Sequence, residues 1–328
     1  MTQLTISLAC GPYDRTDALR SGEVRVDGAD LIYVSVTSPP ELFARMIKKR
    51  SFDLAEMSLS LYVQLRARGG FPFVALPIFP SRMFRHGYVF THRDAGVTEP
   101  RDLEGKRVGV QEYHQTAGVW IRGMLAEDHG VDLSTIRWRE GGVNAPRRPD
   151  VLDLRPTGDL DIGFVGDTVC LDDLLREGEL DAYLGARKPV SFGRDERVQR
   201  LFPEPRAAER TYLQRTGIFP MMHTLVCREE LLEAHPWLAE SVYKAFEAAK
   251  GLCLDRMRFT GTSRYTLPWL QDDLEEIDEL FEGDPWPYGI EPNRVALEAF
   301  VRHLLEQRFL DEPVEVDDLF VPIHLSNE

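Results

Sequence analysis

The sequence predicts an α/β protein folded into two lobes, and three observations lead there. The chain has 328 residues, more than one hydrophobic core commonly organises, so two units of ordinary domain size are expected. Strand-like and helix-like stretches alternate from the start, an order that builds mostly parallel sheets. The middle stretch, 91–219, reads as an α/β lobe inserted into a discontinuous lobe made of 1–90 and 220–328. Two chain crossings between such lobes make a hinge, with a central ligand cleft at the carboxyl ends of the strands.

Taken in order, Leu4, Ile6 and Leu8 alternate with Thr5 and Ser7, so Met1 to Cys10 reads as a first strand. A second extended piece lies near Leu31 to Val36. Ser38-Pro39-Pro40-Glu41 then spells a capping box, with Ser38 as N-cap and Pro39 at the first helical position. The helix it opens carries Leu42, Phe43, Met46 and Ile47 on one face. A strand at Phe52 to Ala55, a helix from Ser58 and an apolar strand at Phe73 to Phe79 follow. Arg107 to Gln111 is strand-like and Thr116 to Leu125 helical. Short strands at Asp161 to Val165 and Asp181 to Leu184 flank a helix around Leu171 to Arg176. After a strand at Thr224 to Cys227 comes a long helix whose stripe of Val242, Phe246, Ala249 and Cys253 is core spacing. A last helix follows Pro292, with Leu297, Phe300, Val301 and Leu304 on its buried side.

Composition narrows the function classes. An apolar fraction of 43% with 28% charged residues is that of a globular chain. No apolar run approaches the ~20 residues of a membrane-spanning helix. Met1 to Cys10 lacks the basic start and continuous apolar stretch of a secretory signal, which points to the cytoplasm. The four cysteines are far apart and form no C-x-x-C pair, so buried free thiols are expected. A net charge of −15 repels nucleic acid and anionic membranes, so neither is expected as a partner. The sequence leaves a homo-oligomer open.

Three strand-to-helix junctions carry small polar residues: Gly11 to Thr16, Glu56 to Ser60 and Tyr113 to Gly118. Unpaired N–H groups at a helix start make such junctions anion sites, and Asp14, Ser58 and Thr116 serve equally as plain N-caps. The segment Pro80 to His86 sets Arg82, Arg85 and His86 just after a strand, with Phe84 between them. Arginine suits bidentate carboxylate binding and histidine transfers protons near neutrality, although a pair of surface arginines also balances acids. His223 sits among apolar residues at the second crossing, either facing the cleft or held in the core. No histidine pair has metal-ligand spacing, and G-x-G-x-x-G, Walker and G-x-S-x-G motifs are absent. Neither a metal nor a nucleotide cofactor is therefore expected.

Several strings, in order and through nearly the whole chain, resemble the 4,5-dihydroxyphthalate decarboxylase family. They are YDRT (Tyr13 to Thr16), FDLAEMS (Phe52 to Ser58), PSRMFRH (Pro80 to His86), the run Leu103 to Gly123, TGIFPMMH (Thr216 to His223) and DPWPYGIEPNR (Asp284 to Arg294). The resemblance implies a type II periplasmic-binding-protein-like fold turned into a non-oxidative, cofactor-independent carboxy-lyase for a small aromatic dicarboxylic acid. In 4,5-dihydroxyphthalate each carboxylate is para to a hydroxyl, so the ring can take up a proton at the carboxylate-bearing carbon and release CO2 as it rearomatises. That chemistry needs an acid above the ring carbon, a base near the hydroxyl and cations for the carboxylate that remains. His86 or His223 is expected as the proton donor, with the other, or Glu56, acting on the phenol. Arg15, Arg82 and Arg85 are expected to hold the remaining carboxylate, and Asp14, Thr16, Ser58 and Thr116 to bind substrate from the helix starts. Two rivals stand beside this reading: a solute-binding protein for an aromatic or other carboxylate, and another enzyme of this fold acting on a chorismate-derived acid.

Overall fold

The computed structural model describes residues 4–149, 154–262 and 264–323. Met1–Gln3, within the first predicted strand, lie outside the described residues. The chain divides into two units. One takes the chain up to Arg82, Met221–Leu297 and the chain from Val314 on; the other takes Met83–Pro220 and Glu298–Pro313. The strands are β1 (Leu4–Cys10), β2 (Ala29–Ser35), β3 (Leu54–Ser58), β4 (Phe73–Arg82), β5 (Val89–His92), β6 (Arg107–Val110), β7 (Arg137–Glu140), β8 (Ile162–Phe164), β9 (Ala182–Leu184), β10 (Val198–Arg200) and β11 (Met221–Arg228).

In the first unit the sheet order is β2-β1-β3-β11-β4. β1 runs parallel to β2 and β3, but β11 is antiparallel to both β3 and β4. The alternation in β1 sends Ile6, Leu8 and Cys10 to one face. There they join Leu54, Leu76, Ile78, Leu225 and Cys227 in a core closed by the helices Asp17–Ser21 and Leu238–Arg258. The long helix delivers Leu238, Val242, Phe246 and Ala249 at helical spacing, each at most 1% exposed. The helix Pro39–Lys49 starts after Ser38 with Pro39 in its first turn, yet the capping box does not form, for Ser38 makes no side-chain cap hydrogen bond. A serine cap accepts from the second or third helical N–H, and Pro40, at the second position, has none to donate.

The second unit holds a sheet in the order β10-β5-β9-β6-β7-β8. β9, β6, β7 and β8 are parallel neighbours, whereas β5 is antiparallel to β9 and β10. Both sheets are thus mixed, where alternation alone suggested mostly parallel ones. Strand direction depends on how each connection returns, which local pattern does not encode. The helix Thr116–His129 runs one turn past Leu125 and stops at Gly130, whose φ of 65° suits a glycine. All of 1–90 and 220–328 was expected in the first lobe, but 83–90 and Glu298–Pro313 belong to the second unit. For the latter stretch the reason is packing: Phe300 lies against Trp120 at 5.1 Å, and Gln307 accepts from Arg122 at 2.8 Å while donating to the Val119 carbonyl at 2.9 Å. Among the described residues no helix is long and apolar enough to cross a membrane.

Phe246 is buried in the first core, so Phe246→Ala should cost about 3–5 kcal/mol in chemical denaturation. A loss below about 1 kcal/mol would show that the helix Leu238–Arg258 is not the lid of that core.

Candidate functional site

The first unit places an ionisable group where an apolar one would ordinarily sit. Leu54, Glu56 and Ser58 alternate onto one face of β3. Antiparallel pairing sets Cys227, Leu225 and His223 of β11 opposite them. Leu54, Leu225 and Cys227 are core, so Glu56 extends an apolar row with a carboxylate that is 1% exposed. His223 lies diagonally across from it, a reach that long side chains span. Its Nδ1 is 2.5 Å from Glu56 Oε1.

The other donors come from the turn after β1. The Gly11 N–H donates to Oε2 at 2.8 Å, the Tyr13 hydroxyl donates to Oε1 at 2.6 Å, and Cys10 Sγ stands 3.5 Å from Oε2. Tyr13 can fold back only because residue 11 is glycine, since a Cβ there would lie 2.6 Å from the Tyr13 ring. Burial alone would raise the Glu56 pKa. The charge of His223 and the hydrogen bonds from His223, Tyr13 and Gly11 outweigh it and hold the carboxyl below the usual range. Tyr13 is shifted the opposite way, upward, by burial and by the Glu56 charge, so it remains a donor. The His223 ring meets Phe43 edge-on at 5.1 Å, and its side chain keeps 16% exposure.

A second layer fixes this turn. Thr16 is buried, its Oγ1 3.0 Å from the Tyr33 hydroxyl, and Tyr33 donates to the Gly11 carbonyl at 2.7 Å. Arg15 lies 4.2 Å from the Tyr13 ring and 4.2 Å from the Trp286 ring, and its Nε donates to the Pro80 carbonyl at 2.8 Å. Trp286 in turn donates from Nε1 to the Phe79 carbonyl at 2.8 Å.

The remaining expected residues divide by task. Ser58 caps the helix Leu59–Arg68, accepting from the Leu61 N–H at 3.4 Å. Asp14 is not a cap: it occupies the first position of a short 3-10 turn and accepts from the Arg15 N–H at 2.7 Å. Arg82 is buried and donates to the Pro287 carbonyl at 2.6 Å and to Asn293 Oδ1, so it anchors the DPWPYGIEPNR segment to the end of β4. Desolvation lowers its guanidinium to about 9.

Arg85, His86 and Thr116 belong to the second unit. Arg85 is buried over the Tyr88 ring, 5.0 Å away, with NH1 donating to the Ala186 carbonyl at 3.4 Å. His86 is set edge-on against Phe202 and Tyr212, and burial pushes it down to about 4. A ring so poised is neutral at neutral pH and is a poor reservoir for a proton. Thr116 is the buried first residue of the helix Thr116–His129, and Gln115 holds the cap position. The structure therefore brings Glu56 and His223 together, and it adds Tyr13, Gly11 and Trp286, which lie inside segments named from the sequence but carry no expected role there. The available signal was a lone glutamate inside the apolar string FDLAEMS, since a buried carboxylate demands donors.

The chain is 36% identical over 328 residues to a 4,5-dihydroxyphthalate decarboxylase of Comamonas testosteroni, covering 100% of this chain and 99% of that one. It is 39% identical over 209 residues to a 4,5-dihydroxyphthalate decarboxylase of Pseudomonas putida, covering 63% of this chain and 81% of that protein. Residues 25–184 match the family model described as ABC transporter, phosphonate, periplasmic substrate-binding protein. Among solved structures, the periplasmic aliphatic sulphonate binding protein of Escherichia coli superposes with a TM-score of 0.56 at 12% identity, over 97% of this chain and 98% of that one. That likeness shows the fold: two α/β lobes of the periplasmic-binding-protein kind.

The depressed pKa of Glu56 sets the sign of a pH effect. A carboxyl held below its unfolded value of about 4.3 adds stability that is complete above that pH and is lost as pH falls through the folded value. Glu56→Gln should therefore be less stable than wild type near neutrality, with the gap narrowing below about pH 4.3. A gap independent of pH in denaturation curves would show that Glu56 is not buried as the anion.

Proposed function

Because this chain belongs to the 4,5-dihydroxyphthalate decarboxylase family, we propose that it removes one carboxylate, without oxidation and without a cofactor, from a dihydroxylated aromatic dicarboxylic acid such as 4,5-dihydroxyphthalate, giving protocatechuate and CO2. The observation that supports the chemistry is the Glu56–His223 pair: a buried carboxylate that accepts from one imidazole nitrogen of a partly exposed ring. With Nδ1–H turned to Glu56, the protonated ring presents Nε2–H to a ligand.

In this reading Nε2–H gives its proton to the ring carbon that carries the leaving carboxylate. The electron pair for the new C–H bond comes from the phenolate oxygen para to that carbon, through the ring. The C–C bond to the carboxylate then breaks, its electrons restore the aromatic sextet, and CO2 departs. His223 is reprotonated by the next phenol or by solvent, and Glu56 balances the imidazolium charge in each cycle. Tyr13 and Gly11 keep the carboxylate oriented, so they act through Glu56 as positioning groups. Arg15, held by two aromatic rings and the Pro80 carbonyl, is the cation for the carboxylate that stays on the ring. Arg82 fastens the segment that carries Trp286 and so acts through Arg15 as a positioning group. We further place the protein in the cytoplasm, a reading supported by its four free, buried cysteines.

Purified, chelator-treated protein should release CO2 from 4,5-dihydroxyphthalate with protocatechuate as the ring product. His223→Gln should lower kcat by ~10²–10⁴-fold, with a smaller change in KM. His86→Gln should show no loss of that size in the folded fraction. Undiminished turnover in His223→Gln would remove the proton-donor role. Binding of the diacid without any CO2 would favour a solute-binding protein instead.

A further inference from the structure

The second unit carries a side-chain cluster that the decarboxylation chemistry does not use. His303 and Glu306 stand one turn apart on the helix Arg294–Glu306, and Glu127 faces them from the helix Thr116–His129. One ligand-type atom from each residue lies within 4.8 Å of the other two. His303 Nδ1 is 3.7 Å from Glu127 Oε1 and 4.0 Å from Glu306 Oε2, beyond hydrogen-bond reach. That nitrogen is buried with no hydrogen-bond partner, on a side chain only 2% exposed. A buried ring nitrogen left without a partner is costly, and here it is aimed between two carboxylates.

We propose that Glu127, His303 and Glu306 form a binding site for one divalent transition-metal cation of the zinc class. A tetrahedral zinc site sets its ligand atoms roughly 3.3 Å apart, so the three atoms must close up only modestly. The imidazole is the fixed member. Gly123 makes room for it, since a Cβ there would lie 2.4 Å from His303 Cδ2, and Trp120 meets the ring edge-on at 5.6 Å. The two glutamates are partly exposed and supply the remaining movement. One imidazole with two carboxylates favours zinc-like ions over calcium or magnesium, and the fourth position is left to water. Arg302 already balances one of the two negative charges, with its Nε 2.8 Å from Glu127 Oε1. A bound cation would tie the helix Arg294–Glu306 to the helix Thr116–His129. The His-x-x-Glu spacing, with its third ligand far away in sequence, is invisible to a search for paired histidines.

The test is equilibrium dialysis of the full chain against zinc(II) after chelator treatment, with bound metal counted and the melting temperature recorded. The expected result is one zinc per chain and a higher Tm, with affinity reduced roughly 10–100-fold or more in Glu127→Gln and in Glu306→Gln. Because both glutamates are partly exposed, these variants keep the fold where a change at His303 would disturb packing. Absence of bound zinc in the wild type, or binding undiminished in the Glu127→Gln, Glu306→Gln double variant, would overturn the site.

Discussion

The first unit is organised around the burial of one negative charge. Glu56 lies in a row of core side chains, and an ionised carboxylate there survives only if its oxygens are matched by donors from several directions. Three of those donors come from two separate places: the backbone and tyrosine of the turn after β1, and a histidine on β11. Breaking a buried ionic contact from one side costs about 3–5 kcal/mol, because the stranded charge stays behind. The glycine at 11, the hydroxyl pair Thr16 and Tyr33, and the direction of β11 can thus be understood as conditions for keeping that charge in place.

The arginines illustrate how one residue type is divided between architecture and chemistry. In a chain of net charge −15 each arginine in an apolar setting invites a functional reading. Arg82 nevertheless spends its fork on a backbone carbonyl and an asparagine, which fastens the segment around Tyr288 and Asn293. The same segment supplies Trp286, which flattens Arg15 against Tyr13. The structural arginine therefore holds the scaffold against which Arg15 is oriented, and stacking limits the rotamers that Arg15 would otherwise sample.

Much of the fold could be read from local pattern. The first strand, the long helix with its stripe from Val242 to Cys253, and the helix opening at Thr116 are short-range properties of side-chain period, and the structure has them all. What escaped depends on long-range closure. The direction of β11, and the assignment of Glu298–Pro313 to the second unit, follow from contacts between residues far apart in sequence. The candidate site shows the same division. Glu56 and His223 could be named by residue type, but their pairing could not, because a separation of 167 residues leaves no local trace. Tyr13 stands in the YDRT string without a role assigned to it, since a tyrosine in a turn looks like surface. Its importance is visible only when Gly11 is seen to let it fold back.

That separation has a consequence during synthesis. Glu56 leaves the ribosome 167 residues before His223, which at about 5–20 residues per second is an interval of roughly ten to thirty seconds. Throughout it, β3 has its parallel neighbour β1 but lacks the strand that carries the imidazole, so the carboxylate must stay hydrated and the sheet edge unsealed. In the second unit β5 likewise waits for β9 and β10, although all three lie within the continuous stretch Met83–Pro220. Until β11 arrives, β3 and the apolar strand β4 therefore both present an unpaired edge, and such edges are open to mispairing.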